Sequence, residues 1–254
     1  METLNGAVAL VTGGSRGIGR AIALNLAEAG CDICLAYLNS ARDARDVAEE
    51  VSRMGRRVLA VKADLSESED IEGLVDSIAE EFGRLDVLVS NAAGGGFASL
   101  MEASLGQFDY SMRINVRALM LLAQHGLPLL KKTALRRAKL ISISSLGGTR
   151  ALPHYGLIGA AKGAIESMTR HLALELGPQG VNVNCVVAGL VTTGALSSHP
   201  QRDEIMARRR SPLVADGEIL PADVAEAIRF LASSASDKIQ GQTLVIDAGS
   251  SILA

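Results

Sequence analysis

The chain has 254 residues, 48% of them hydrophobic and 21% charged, with a formal net charge of −3. That apolar share excludes a disordered chain, the length suits one α/β domain with a full core, and the weakly acidic balance gives no basic field for nucleic acid. Three cysteines cannot close a disulfide framework, no charge-free run reaches the roughly 18 residues of a membrane span, and the chain opens without a basic start, so a cytoplasmic protein without membrane contact is expected.

Short β-branched runs alternate with longer stretches of helical periodicity. Strands are expected at 7–12, 33–37, 58–61, 87–89, 139–143, 181–187 and 243–247, and helices at 18–29, 41–54, 67–82, 104–131, 155–176 and 221–232. Strands that read as continuous apolar runs are covered on both faces, and the helices between them make right-handed crossovers. The expected fold is therefore α/β: a single-domain Rossmann-type doubly wound sheet of about seven parallel strands, with helices on both faces. The stretch 188–220 has no clear strand and is too long for an ordinary connection, which marks a substrate lid. Cys31 and Cys34 form a C-x2-C, but without a second pair or a nearby histidine the pattern falls short of a metal site.

The first strand runs into Thr12-Gly13-Gly14-Ser15-Arg16-Gly17-Ile18-Gly19, and a helix follows. Glycines allow a tight turn and close approach of backbone to a ligand, and the free N–H groups at a helix start attract a pyrophosphate. In this position the pattern T-G-x-x-x-G-x-G reads as a dinucleotide site; a turn that only packs helix on strand is the plainer alternative. Cofactor choice is read at the end of the second strand, where an Asp or Glu would bind the ribose 2′-hydroxyl of NADH. Here the strand ends Ala36-Tyr37-Leu38-Asn39-Ser40, with Arg16 in the turn and Arg42 close by. A cation beside neutral donors favours a 2′-phosphate, so NADPH is expected over NADH.

With these motifs the chain resembles the short-chain dehydrogenases/reductases over essentially its whole length. Ala63-Asp64-Leu65 resembles the family's adenine-contacting turn, and Ser90-Asn91-Ala92-Ala93-Gly94 its fourth-strand motif. Asn115 matches the asparagine of the fourth helix, Ser144-Ser145 ends the fifth strand in the usual place, and Thr193 matches the threonine at the nicotinamide end. The proline that commonly precedes Gly189 is Ala188 here. The resemblance implies cofactor contacts from Gly13, Ser15, Arg16, Gly17, Ile18, Gly19, Asn39, Ser40, Asp64, Leu65, Asn91, Ala92, Ala93, Lys162 and Thr193.

The departure lies at the family's active-site tyrosine. The common pattern is Y-x3-K with a serine 13 residues before the tyrosine, and counting from Ser145 puts that tyrosine on Ile158. Lys162 stands where the lysine belongs, and the nearby tyrosine is Tyr155, giving Y-x6-K. Seven residues is nearly two helical turns, so the two side chains still share a face, but the hydroxyl has moved about 4.5 Å along the axis. In a ketone the hydride enters the carbon about 1.2 Å from the oxygen; in an α,β-unsaturated thioester it enters the β-carbon, and charge appears on an oxygen roughly 3 Å or more away. A donor aimed at that enolate must sit further from the nicotinamide.

The spacing is similar to that of enoyl-acyl-carrier-protein reductases, and Ile143 to Gly147, Tyr155 to Lys162 and 237–247 are similar to the NADPH-dependent type III members. The likeness implies an enoyl-thioester reductase of fatty acid biosynthesis, a homotetramer acting on an acyl group carried by acyl carrier protein or coenzyme A. Tyr155 would donate to the thioester oxygen, Lys162 would hold the nicotinamide ribose, Ser145 would add a second hydrogen bond, and Asn115 would distort its helix and hold a water. Two readings stay open beside it: a 3-oxoacyl or carbonyl reductase, which Ser145 and Asn115 would also serve, and a non-catalytic NADPH-binding protein. Arg202 and Arg208 to Arg210 either meet carrier phosphates or form a solvated face, and His154 reads as a surface residue.

Overall fold

The computed structural model describes residues 4–191, 193, 199, 201–207, 213–214 and 217–253; the side chains of Arg202, Met206 and Ala207 lie outside the description. Among the described residues seven strands form one parallel sheet: β1 (Val8–Thr12), β2 (Asp32–Tyr37), β3 (Val58–Lys62), β4 (Val87–Ser90), β5 (Ala138–Ser145), β6 (Val181–Ala188) and β7 (Thr243–Ile246). Their order is β3-β2-β1-β4-β5-β6-β7. They alternate with α1 (Gly17–Glu28), α2 (Ala41–Arg53), α3 (Ser68–Phe82), α4 (Leu105–Met112), α5 (Ala118–Leu130), α6 (Gly156–Leu176), α7 (Arg202–Ala207) and α8 (Pro221–Ala232). The doubly wound α/β sheet expected from the apolar runs is present, strand for strand.

The alternation of side chains along each strand builds two apolar layers. Ala9 and Val11 of β1 pack with α1, α2 and α8; Val8 and Leu10 pack with α3, α5 and α6. Both faces are therefore covered, and every residue of β1 and β6 is buried. Cys31 and Cys34 fall in opposite layers and do not face each other; both are buried, as is Cys185. β1 pairs with β2 on one side and with β4 on the other, so the crossovers leave in opposite directions and open a crevice at the carboxyl ends of these strands.

Two expected stretches differ in detail. The segment 104–131 is not one uninterrupted helix: a Ser104–Gln107 capping box starts α4, and a π turn, Arg113–Arg117, joins it to α5. Asn115 sits inside that widened turn. Within 188–220 the described residues include α7, a parallel bridge from Val191 to Ile219, Thr193 and His199; residues 192, 194–198, 200, 208–212 and 215–216, Arg208 to Arg210 among them, lie outside the described residues. Among the described residues no helix is long and apolar enough to cross a membrane.

Buried charges pin the sheet. Asp86, just before β4, accepts from Val8 N and Arg84 Nε on one oxygen and from Thr133 Oγ1 and Ala134 N on the other, at 2.6–3.1 Å. Lys139, 1% exposed, donates to Asp237 Oδ1 at 2.7 Å, Ser236 Oγ at 3.2 Å and Asn182 Oδ1 at 3.3 Å, which ties β5 and β6 to the turn before β7. Burial holds its pKa below the ordinary lysine value, and Asp237 opposes that shift. Asp237→Asn leaves the buried ammonium uncompensated and is expected to lower the unfolding free energy in urea by about 3 kcal/mol. Lys139→Met removes the charge itself and leaves Asp237 its contact with Arg136 at 3.3 Å, so the expected loss is smaller.

Candidate active site

The floor of the crevice is the glycine turn between β1 and α1. Gly13 and Gly17 adopt φ of 63° and 54°, a left-handed conformation that side chains disfavour. A β-carbon on Gly19 would lie 2.1 Å from the Gly13 carbonyl oxygen and 2.6 Å from Asn91 Nδ2, so only glycine lets α1 start this close to the strand end. The first turn of α1 has neither a side-chain cap nor an acidic residue, which leaves its N–H groups and positive end facing the crevice. Asn91 braces this turn from β4. Its N–H and that of Ala92 donate to Thr12 Oγ1 at 2.9 and 3.0 Å, and its Nδ2 donates to the Thr12 and Gly13 carbonyls at 2.8 and 3.3 Å.

A cavity of about 690 Å³ runs from this turn to the end of β5. Gly13, Ser15, Arg16, Gly17, Ile18, Gly19, Asn39, Ser40, Leu65, Asn91, Ala92, Ala93, Lys162 and Thr193, all expected from the family resemblance to contact a cofactor, line it. Asp64 does not: its carboxylate accepts from the N–H and Oγ of Ser66 at 2.9 and 2.7 Å, one residue behind the lining Leu65. Among the described residues no carboxylate lines the cavity, and Arg16 and Lys162 are its cations. Asn39 and Ser40 after β2, Arg16 in the glycine turn, the glycine cradle and the uncapped helix start fit a dinucleotide that carries an extra phosphate.

At the other end the chemistry gathers on the last residues of β5. Tyr155, the residue before α6, places its hydroxyl 3.0 Å from Ser145 Oγ. Its ring lies where a β-carbon on Gly147 would be, 2.4 Å from Cδ1 and Cε1, so glycine at 147 leaves room for the ring. His154, exposed and at φ 56°, makes the left-handed bend that precedes Tyr155, and its carbonyl accepts from Ala98 N at 3.0 Å. Lys162 Nζ donates to the Ile143 carbonyl at 2.8 Å, two residues along β5 from Ser145. Burial pushes the Tyr155 phenol up, and the Ser145 hydrogen bond pulls it back; burial pulls Lys162 down to about 8. Ile158, at the family's usual tyrosine position, is 9% exposed and packs beside Gly95, away from the cavity.

Asn115 stands behind the wall rather than on it. Its Nδ2 donates to the Gly94 and Ser111 carbonyls at 2.7 and 2.8 Å, and its buried Oδ1 has no partner in the protein. Three lining or near-lining rings were not singled out from the sequence. Tyr110 lines the cavity and faces Gly94; Phe97 lies 6.0 Å from the Tyr155 ring, and His199 meets Phe97 edge-on. Tyr110, five residues before Asn115, falls about 140° away on an α-helix, so helical spacing alone does not point to it. The placement of Phe97 and His199 depends on loop contacts that no spacing encodes.

A family model described as "Enoyl-(Acyl carrier protein) reductase" matches residues 13–251. The 1-cyclohexenylcarbonyl-CoA reductase of Streptomyces collinus is 36% identical over 97% of this chain and 88% of its own. The hydroxynaphthalene reductase of Aspergillus fumigatus is 33% identical over 94% of this chain and 90% of its own. Among solved structures, a short chain dehydrogenase from Burkholderia cenocepacia in complex with NADP superposes with a TM-score of 0.87 at 34% identity, covering 96% of this chain and 98% of that one.

The lowered pKa of Lys162 has a consequence for stability. Below about pH 8 folded and unfolded chains both carry the proton; between about 8 and the free value of 10.5 the unfolded chain binds more protons, so the lysine's burial costs less as pH rises. In the cofactor-free protein, the unfolding free energy of the wild type relative to Lys162→Met is expected to rise over that interval, as measured by urea denaturation at successive pH values.

Proposed function

The chain belongs to the short-chain dehydrogenase/reductase family of oxidoreductases, and on that premise we propose that it reduces the carbon–carbon double bond of an enoyl thioester with NADPH. The observation that carries this reading is the position of Tyr155. Its hydroxyl meets Ser145 at 3.0 Å from a site one helical turn before the usual one, while Ile158 is buried elsewhere. That displacement suits the oxygen of an enoyl thioester, which lies beyond the carbon that accepts hydride. NADPH is supported by Arg16 in the glycine turn, by Asn39 and Ser40 after β2, by the absence of a lining carboxylate among the described residues, and by the NADP bound to the Burkholderia relative. A thioester is supported by the coenzyme A substrate in the name of the Streptomyces relative. The carrier is coenzyme A or acyl carrier protein; we extend the reading to a single-domain cytoplasmic protein, and the family resemblance implies a homotetramer.

NADPH, when bound, supplies the hydride that enters the β-carbon of the enoyl group. The Tyr155 O–H donates to the thioester oxygen as negative charge develops there, and a phenol whose pKa is raised by burial stays protonated at neutral pH. Ser145 Oγ positions that hydroxyl in the free site, and with the thioester bound it turns its own O–H to the same oxygen as a second donor. Lys162, held at the Ile143 carbonyl and still a cation at pH 7, binds the ribose hydroxyls and favours negative charge beside it. Asn115 fixes the Gly94 loop, and its free Oδ1 accepts a water that can return a proton. Leu146, Leu152 and Pro153 give the reacting end an apolar lining.

Reduction of a 3-oxoacyl or other carbonyl group is the second reading. One observation favours it: the Ser145–Tyr155 pair is intact, and such a pair polarises a ketone directly. NADPH oxidation with crotonyl-CoA and acetoacetyl-CoA in parallel separates the two. Crotonyl-CoA is expected to be preferred about tenfold or more, and Tyr155→Phe is expected to lose about a hundredfold in kcat with NADPH affinity nearly unchanged. Gly147→Ala keeps the hydroxyl but displaces its ring, and a loss of about tenfold is expected. A preference for acetoacetyl-CoA would make this a carbonyl reductase.

A further inference from the structure

The acyl end of the cavity holds a histidine that the mechanism does not use. His199 is 6% exposed and lines the cavity with Leu146, Leu152, Pro153 and Ile205. Both of its ring nitrogens are engaged. Gln201 N–H donates to Nδ1 at 3.0 Å, so Nδ1 carries no proton; Nε2 carries it and donates to the Pro153 carbonyl at 3.1 Å. The ring is thereby fixed to a carbonyl two residues before Tyr155. It meets Phe97 edge-on at 4.6 Å, and Phe97 lies 6.0 Å from the Tyr155 ring. A neutral imidazole with donor and acceptor both committed presents a substrate only with ring surface. It is a wall, not an acid or a base.

We propose that His199, backed by Phe97, is a specificity-determining residue that bounds the acyl subsite beyond Tyr155 and restricts it to short acyl groups. The inference rests on the thioester reading for its substrate class. The cavity of about 690 Å³ has to hold both the dinucleotide and the acyl group, which leaves little room past this wall.

Calorimetric titration of butyryl-CoA and decanoyl-CoA into the NADP⁺ complex tests the wall without turnover. The wild type is expected to favour butyryl-CoA. His199→Ala is expected to shift the ratio of the two affinities about tenfold or more toward decanoyl-CoA, with NADP⁺ affinity unchanged. His199→Gln keeps a donor for Pro153 and most of the bulk, and its ratio is expected to stay within about threefold of wild type. If His199→Ala does not fold, Phe97→Leu is expected to move the ratio in the same direction. A loss shared equally by both ligands would mean that His199 only anchors its loop, and would overturn the proposal, as would binding of neither acyl-CoA. Wild-type turnover of crotonyl-CoA and acetoacetyl-CoA, measured alongside, keeps the two readings apart: a ratio that shifts in a protein active only on acetoacetyl-CoA keeps the wall and discards the double-bond chemistry.

Discussion

The backbone of residue 19 rests against the carbonyl oxygen of Gly13, with the Asn91 amide pressed beside it. At 2.1 and 2.6 Å from a would-be β-carbon, neither neighbour leaves space for any side chain. This contact sets where α1 begins, and through it how near an uncapped helix terminus comes to the strand ends. Asn91 belongs to the end of β4, so the same contact locks β4 to β1 at the point where the winding of the sheet reverses. The crevice is open because the topology diverges there, and its floor is rigid because these three backbones meet there.

The second floor, at the end of β5, works by burial rather than by contact. Ile143 and Ser145 present a carbonyl and a hydroxyl two residues apart, and Lys162 and Tyr155 reach down to them from α6 and its first turn. Desolvation moves the lysine down and the phenol up, which favours the uncharged form of each. With the lysine near 8, the pair at neutral pH is still an ammonium beside a protonated phenol. A site of this kind keeps a protonated hydrogen-bond donor in place without a free negative charge waiting in the cavity.

The sheet was legible because its strands are buried on both faces and so read as unbroken apolar runs, and because each helix between them carries its own periodicity. The glycine turn was legible because its steric requirement is local: Gly13, Gly17 and Gly19 lie within seven residues. The shift from Ile158 to Tyr155 was legible as arithmetic, and the structure adds what makes it possible, namely the space at Gly147 and the left-handed bend at His154. Asp64 shows the opposite case. A carboxylate in the expected place turns to the neighbouring Ser66, because a short polar side chain is satisfied first by its own backbone. His199 was hidden because its partner Pro153 is 46 residues away and nothing in either local sequence announces the pairing.

The three cysteines lie within the apolar layers, and burial raises the thiols of Cys31 and Cys34 to about 12 and that of Cys185 to about 11. The thiolate is the form that reacts with alkylating reagents and oxidants. In the closed sheet these sulfurs are both sealed off and protonated, so modification waits for the strands around them to part. Cys31 and Cys34 sit in and beside β2, and Cys185 lies in the interior of β6. The rate at which each is labelled therefore serves as an internal clock for the opening of its own part of the sheet, one in the half that carries the glycine turn and one in the half that carries Tyr155 and Lys162.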